Sequence, residues 1–320
     1  MKAVILEGKA VNPGDISWNP VTSVIDCKIY ENTTEAEKID HIADAEIVLS
    51  NKVIIDKAVF DACPNIKYVG LCSTGYNVVD LDEARARGIV VTNVPAYSTD
   101  SVAQLAWSMI LNASCKLNLH NQSVHDGDWI KSDSFCYWLD SFIELTGKKI
   151  GLIGFGNIGQ QMAAIAKAFK MDILVYTSHP DKYRESNPDI CFTDLDQLYK
   201  ESDIISLHCP LTEANQGMIN KDSISKMKDG VIIINVSRGP LIVEKDLAEA
   251  LESGKVAQAA CDVVSVEPMQ ASNPLYRAKN MTITPHIGWA STEARQRLVA
   301  TVAGNISAFL ACQPQNQVNK

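Results

Sequence analysis

The sequence has no apolar run long enough to cross a membrane, for which about 18 consecutive apolar residues would be needed. Its opening residues, MKAVILEGKA, enter a strand-like segment at once instead of forming a signal peptide, so a cytoplasmic location is expected. Lys and Arg are nowhere clustered, and a formal charge of −9 argues against a phosphate-backbone partner. Neither a membrane nor a nucleic acid is therefore expected among its partners. The nine cysteines, at 27, 63, 72, 115, 136, 191, 209, 261 and 312, are odd in number and scattered, without C-x-x-C spacing. That excludes an evident disulfide framework or metal site and reads as small buried apolar residues in a reducing compartment. Short-period repeats and low-complexity segments are also missing. What is present is a globular composition, 46% hydrophobic and 21% charged, in 320 residues, enough for two domains with a core each.

Along the chain, short apolar runs at 2–7, 46–50, 66–72 and 89–93 alternate with helix-like stretches at about 34–43, 56–62 and 80–87. Strand alternating with helix implies an α/β fold whose parallel sheet is covered on both faces. After Asn93-Val94-Pro95 comes an amphipathic stretch, Thr99 to Leu117, with Thr99 or Asp100 as N-cap, then a polar, aromatic-dotted connection from Asn118 to Phe142. Further strands are expected near 203–207, 231–235, 258–262 and 281–284. Ser291 to Leu310 reads as one helix, placed too late to add a strand, and is expected to pack back on the first domain. The expected division is 1–98 plus 288–320 for one domain and 99–287 for the other.

The densest signal lies between Lys148 and Ser178. Ile150 to Ile153 reads as a buried strand and Gln160 to Phe169 keeps helical spacing, so Gly154, Gly156 and Gly159 sit at a strand-to-helix turn. Gly154 permits the tight turn, Gly156 lets the backbone approach a pyrophosphate, Gly159 brings helix and strand together, and the free N–H groups of the helix start attract the anion. Ile173 to Tyr176 completes strand-helix-strand. A glycine-rich turn without a ligand is the competing reading, and three glycines at this spacing in this context speak against it.

Ligands of open α/β sheets bind beyond the carboxyl ends of the strands. There the apolar runs give way to Asn235-Val236-Ser237-Arg238-Gly239-Pro240, to Cys261-Asp262 followed by Glu267-Pro268, and to Thr284-Pro285-His286-Ile287-Gly288. A fixed cation, an acid/base and a carboxylate that tunes it suit the reduction of a 2-oxo acid. Singly, Arg238 could be a surface residue, Glu267 a solvated loop charge and His286 a satisfied loop histidine. Asp262 either caps a strand end or accepts from a nicotinamide carboxamide. Leu207-His208-Cys209-Pro210 ends the preceding strand, where packing on a cofactor and plain core termination are both open.

At this point the chain resembles the D-isomer specific 2-hydroxyacid dehydrogenase family, and within it the glycerate dehydrogenase/hydroxypyruvate reductase branch. The similarity runs through GLCSTGYNVVD (70–80), NVPAYSTDSVAQ (93–104), IELTGKKIGLIGFGNIG (143–159), LHCPLTEANQGMI (207–219), INVSRGPLI (234–242), CDVVSVEP (261–268) and TPHIGWA (284–290). It implies a Rossmann dinucleotide-binding domain inserted in a flavodoxin-like substrate domain. It also implies catalysis by Arg238, Glu267 and His286, with the substrate carboxylate on the amides of Ser73, Thr74 and Gly75 and on Arg238. Implied cofactor contacts are Asn157, Ile158, His208, Cys209, Pro210, Asn215, Val236, Ser237, Asp262 and Gly288, beside the glycines. The family's dimers imply a homodimer formed through 99–142. The segment Asp133 to Phe142, with Phe135, Tyr137 and Trp138, reads first as a loop packed by its own aromatics, with a substrate lid as the alternative, and the resemblance adds an approach of Trp138 to the neighbouring subunit.

Two departures stand out. Thr177, followed by Ser178 and His179, occupies the place of the Asp that binds the ribose 2′-OH, which removes a charge that would repel a 2′-phosphate; NAD or NADP is then the expected cofactor, with Lys182 and Arg184 near by. Gln104 stands where many members have Glu. The expected reaction is hydride transfer at C2 of a small 2-oxo acid, hydroxypyruvate or glyoxylate, with His286 as acid, Arg238 steadying the oxygen and Glu267 favouring the imidazolium. A nucleotide-sensing corepressor-like binding protein shares the fold and these three residues, and a methyltransferase could use the glycine turn without them.

Overall fold

Parallel strands buried on both faces are expected to be largely apolar, and the central runs of this chain, such as Ile47 to Leu49 and Val231 to Ile234, are. The computed structural model describes residues 1–320, and the chain divides into two compact units, Met1–Ser98 with Trp289–Lys320, and Thr99–Gly288. In the first unit β1 (Ala3–Ile5), β2 (Cys27–Ile29), β3 (Ile47–Ser50), β4 (Tyr68–Leu71) and β5 (Val90–Thr92) form one sheet in the order β2-β1-β3-β4-β5. All pairs are parallel, and this order is that of flavodoxin-like sheets. Successive side chains of a strand point to opposite faces, so Ile47 and Leu49 join Leu298, Val302 and Ile306 of the long helix Thr292–Leu310. Val48 and Val69 face Phe60 and Ala84 on the other side.

The second unit holds β6 (Lys149–Ile153), β7 (Asp172–Tyr176), β8 (Cys191–Phe192), β9 (Ile204–Leu207), β10 (Val231–Asn235), β11 (Val256–Cys261) and β12 (Met281–Ile283) in the order β12-β11-β10-β9-β6-β7-β8. The order reverses between β6 and β9, the topological switch point of a dinucleotide-binding sheet. Helices Thr99–Cys115 and Asn157–Ala168 cover one face through Ala106, Ile110, Met162 and Ala166; Glu244–Ser253 covers the other through Leu247 and Leu251. No helix is long and apolar enough to cross a membrane.

The pattern of apolar runs missed β2 and β8, short edge strands whose residues are partly exposed and defined by pairing alone. The connection expected from Asn118 begins instead as a second helix, Leu117–His125, set off from Thr99–Cys115 by Lys116 in a left-handed conformation (φ 53°). The cysteines were expected to be buried. All nine are free thiols, but only Cys63, Cys72 and Cys261 are buried, while Cys115 and Cys312 are exposed at helix ends, Cys136 in a loop and Cys191 on the edge strand β8.

Candidate active site

Register places the chemistry. Tyr176 pairs with Ile153, Ile153 with Leu207, Leu207 with Asn235, Asn235 with Cys261 and Cys261 with Ile283, so six strands end level with one another. Adjacent parallel strands lie about 4.8 Å apart. The residues that follow the ends therefore form one row: Thr177-Ser178-His179, Gly154, His208-Cys209-Pro210, Val236-Ser237-Arg238, Asp262 and Thr284 to Gly288.

At the switch point the glycines have separate uses. Gly154 has φ +102°, and a Cβ there would stand 2.6 Å from the His208 carbonyl and the Cys209 nitrogen. This glycine thus lets the turn close on the end of β9, a contact that the one-dimensional motif does not reveal. A Cβ on Gly159 would meet the Gly154 oxygen at 2.3 Å, so this glycine seats the helix on the turn. A Cβ on Gly156 would meet nothing within 4 Å. The open space lies above the N-terminus of the helix Asn157–Ala168, whose first N–H groups have no intrahelical partner. The turn fits a dinucleotide pyrophosphate on these grounds.

Beside it, His208 is held by Ser206, whose Oγ lies 2.9 Å from Nε2, while Nδ1 is buried without a partner. Burial pushes its pKa down to about 3, which keeps the ring neutral. Burial also pushes the Cys209 thiol up and the Cys261 thiol to about 12, so neither supplies a thiolate. Asn215 folds its own loop, donating to the Pro210 oxygen at 2.8 Å and accepting from the Thr212 nitrogen at 2.7 Å. Thr177 is half-buried and accepts a long 3.4 Å bond from the His179 nitrogen; Ser178 and His179 are exposed. Asn157 is exposed and Ile158 half-buried on the helix start.

On the other side of the row, Ser237 donates through Oγ to the Cys209 oxygen, tying the ends of β10 and β9. Asn235, fully buried, accepts from the Ser237 nitrogen at 3.0 Å and donates to the Arg238 oxygen at 2.9 Å. That side chain shapes the turn carrying Arg238, whose guanidinium donates to the Ser237 oxygen at 2.7 Å and has no carboxylate partner. Sequence reasoning placed Asn235 at this strand end but gave it no role; the available signal was one polar residue closing the run Val231 to Ile234, two positions before a serine. Val236 is buried beside it.

Asp262, 2% exposed, holds the loop that presents His286. Its Oδ1 accepts from Thr284 Oγ1 at 2.5 Å and the Ile287 nitrogen at 2.8 Å, and its Oδ2 from the Gly288 nitrogen at 2.7 Å. The His286 nitrogen donates to the Asp262 oxygen at 2.8 Å, and His286 takes a left-handed φ of 55°. Gly288 is buried; a Cβ there would come within 3.0 Å of Asp262 Oδ2. So fixed, His286 places Nδ1 2.6 Å from Glu267 Oε2, and Glu267 Oε1 accepts from the Val264 nitrogen at 3.2 Å. An ionised carboxylate only accepts, so Nδ1 carries a proton and Nε2 is the nitrogen left to exchange one.

Ser73, Thr74 and Gly75 lie in the first unit, after β4. The Ser73 oxygen accepts from the Val94 nitrogen at 2.9 Å, Ser73 Oγ donates to the Gly75 oxygen at 2.7 Å and Thr74 Oγ1 to the Val94 oxygen at 2.8 Å. Asn93 Nδ2 adds a bond to the Thr74 oxygen at 2.7 Å. The side chains thus stiffen a turn whose amides are its remaining donors.

Residues 107–288 match the family model described as D-isomer specific 2-hydroxyacid dehydrogenase, NAD binding domain. A hydroxypyruvate reductase of Blautia hydrogenotrophica is 47% identical over 323 residues, covering all of both chains. A glycerate dehydrogenase of Methylorubrum extorquens is 35% identical over 294 residues, 91% of each. Among solved structures, an acyclic imino acid reductase in complex with NADPH and D-Arg superposes with a TM-score of 0.85 at 28% identity, over 99% of this chain and 100% of that one. The family model spans more than half of the sequence and the hydroxypyruvate reductase all of it. The chain therefore belongs to the D-isomer specific 2-hydroxyacid dehydrogenases, NAD(P)-dependent oxidoreductases acting at C2 of a small 2-oxo or 2-hydroxy acid.

Proposed function

We propose that this enzyme reduces hydroxypyruvate to D-glycerate, takes glyoxylate as a second substrate, and uses Arg238, Glu267 and His286 for the chemistry. The single observation that carries the residue assignment is the 2.6 Å bond between His286 and Glu267 on the row of strand ends. The similarity to a hydroxypyruvate reductase along the whole chain supports the substrate. A reduced nicotinamide coenzyme held at the glycine turn would supply the hydride for C2. Protonated His286 gives its Nε2 proton to the carbonyl oxygen, and the Glu267 carboxylate bonded to Nδ1 orients the ring for that transfer. Arg238, free of any acidic partner, steadies the negative charge growing on the oxygen and orients the substrate carboxylate, which the amides of Ser73, Thr74 and Gly75 also bind.

The glycine turn and the helix at Asn157 hold the pyrophosphate, with His208 to Pro210, Asn215, Val236, Ser237, Asp262 and Gly288 lining the remainder of the cofactor site. Thr177 presents no carboxylate to a ribose 2′-position, and Lys182 and Arg184 follow on the short helix Asp181–Arg184, so NADPH is accepted beside NADH. In this reading residues 1–98 with 288–320 bind substrate and 99–287 the cofactor. The working form is a homodimer, supported by the large apolar side chains exposed in 111–143, among them Ile130 and Phe135, each 89% exposed.

A matrix of 2-oxo acids against NADH and NADPH, followed by loss of the reduced nicotinamide's absorbance, tests the proposal. Hydroxypyruvate should give the highest kcat/KM. A bulky branched 2-oxo acid outperforming it would overturn the substrate assignment.

A further inference from the structure

Glu267 sits on an exposed loop, yet a bond of 2.6 Å to His286 requires its backbone to be held still. The supports of that loop converge on the residues just before it. Gly239, which follows Arg238, packs so closely that a Cβ would overlap the Val264 carbonyl at 2.0 Å. The nitrogen of Ser265 donates to Glu244 Oε1 at 2.7 Å and its hydroxyl to Glu244 Oε2 at 2.6 Å. Both oxygens of one carboxylate are thus given to one serine, which fixes the orientation of the peptide as well as its position.

Glu244 can serve this way because it is itself anchored. It is the first residue of the helix Glu244–Ser253, where a negative charge is favoured by the helix dipole. Leu247 and Leu251 of that helix are fully buried in the core shared with β11. No cation pairs with Glu244, so its charge has no salt-bridge use. The path helix, Glu244, Ser265, Val264, Glu267, His286 is continuous in hydrogen bonds and backbone.

We propose that Glu244 is a positioning residue for the reaction, holding the loop of Glu267 through Ser265 so that the carboxylate meets His286. This rests on the assignment of Glu267 and His286 to the chemistry. The charged groups around His286 are Glu267 at Nδ1, Arg238 at the end of β10, two strands along the row, and Asp262 beneath its loop, the last saturated by Thr284, Ile287 and Gly288. Loosening the loop therefore acts on the ring through Glu267.

The test compares Glu244→Ala, Glu244→Gln, Ser265→Ala and Glu267→Gln in the reduction of hydroxypyruvate across pH. Glu244→Ala should lower kcat about tenfold with the KM for coenzyme unchanged, the cost of a slightly misplaced catalytic group. The pH profile of the rate should also move in the same direction as in Glu267→Gln, since the ring loses part of its carboxylate. A glutamine amide can accept from the Ser265 N–H and donate to its hydroxyl, so Glu244→Gln should restore both. Ser265→Ala, which keeps one of the two bonds, should fall between. If Glu267→Gln moves the profile while Glu244→Ala and Ser265→Ala leave it in place, the positioning role is refuted and the catalytic pair stands. If Glu267→Gln itself leaves the profile unmoved, the pair fails and this inference with it.

Discussion

Replacing His208 by Gln gives a direct reading of what the end of β9 costs in acid. In the folded protein burial holds the ring neutral, with its pKa down from 6.5 to about 3. The unfolded chain takes up a proton below about pH 6.5. A depressed folded pKa means that the histidine's contribution is complete above 6.5 and is lost as pH falls towards 3. Each unit of that interval is worth about 1.4 kcal/mol, so between about pH 7.5 and about pH 5 the loss comes to about 2 kcal/mol. Glutamine cannot take up the proton. Urea unfolding of both proteins at the two pH values cancels the other titrating groups, and the difference of differences isolates residue 208. The parent should lose about 2 kcal/mol more than His208→Gln. Equal losses in the two proteins would mean that the ring is hydrated or already charged in the fold, and the account of a neutral buried histidine would fail.

Three other substitutions bear on the site. Arg238→Lys should cut kcat/KM by about 10²- to 10³-fold in steady-state assays, because a single ammonium cannot replace the planar fork; near-normal turnover would remove Arg238 from the chemistry. Gly156→Ala and Gly159→Ala should part company. Gly156 has an ordinary φ of −73° and no neighbour for its Cβ, so unfolding should shift by under about 0.5 kcal/mol while the coenzyme KM rises at least about tenfold. Gly159→Ala drives a methyl onto the Gly154 carbonyl and should cost about 2 kcal/mol of stability as well; equal destabilisation of the two would contradict this division. Thr177→Asp should depress kcat/KM for NADPH relative to NADH by at least about tenfold through repulsion of the 2′-phosphate, and an unchanged ratio would place the ribose elsewhere.

Much of the architecture was legible without coordinates. The largely apolar central strands announce themselves because both of their faces are buried, and three glycines after β6 mark a turn that few other sequences make. The tail helix was recognisable from its periodicity and from its place after the last strand. The short edge strands β2 and β8 were not, since two or three half-exposed residues carry no period and become strands only by pairing. Helix 117–125 was hidden by its polar composition and by the reversal at Lys116.

The site divides the same way. Which residues follow the strand ends is a property of the linear order, and so is the similarity that names Arg238, Glu267 and His286. How they are held is not. Asp262 reads in the sequence as a strand cap or a cofactor acceptor, and only the fold spends both of its oxygens on the loop of His286. Gly239 and Glu244 carry no one-dimensional mark of their use, because each acts on a segment that reaches it only through packing, whereas Asn235 bonds its own turn and left a local signal. Periodicity and turn chemistry are local and survive in the sequence; hydrogen bonds between strand ends depend on which strands are neighbours, and that is settled only when the sheet closes its core.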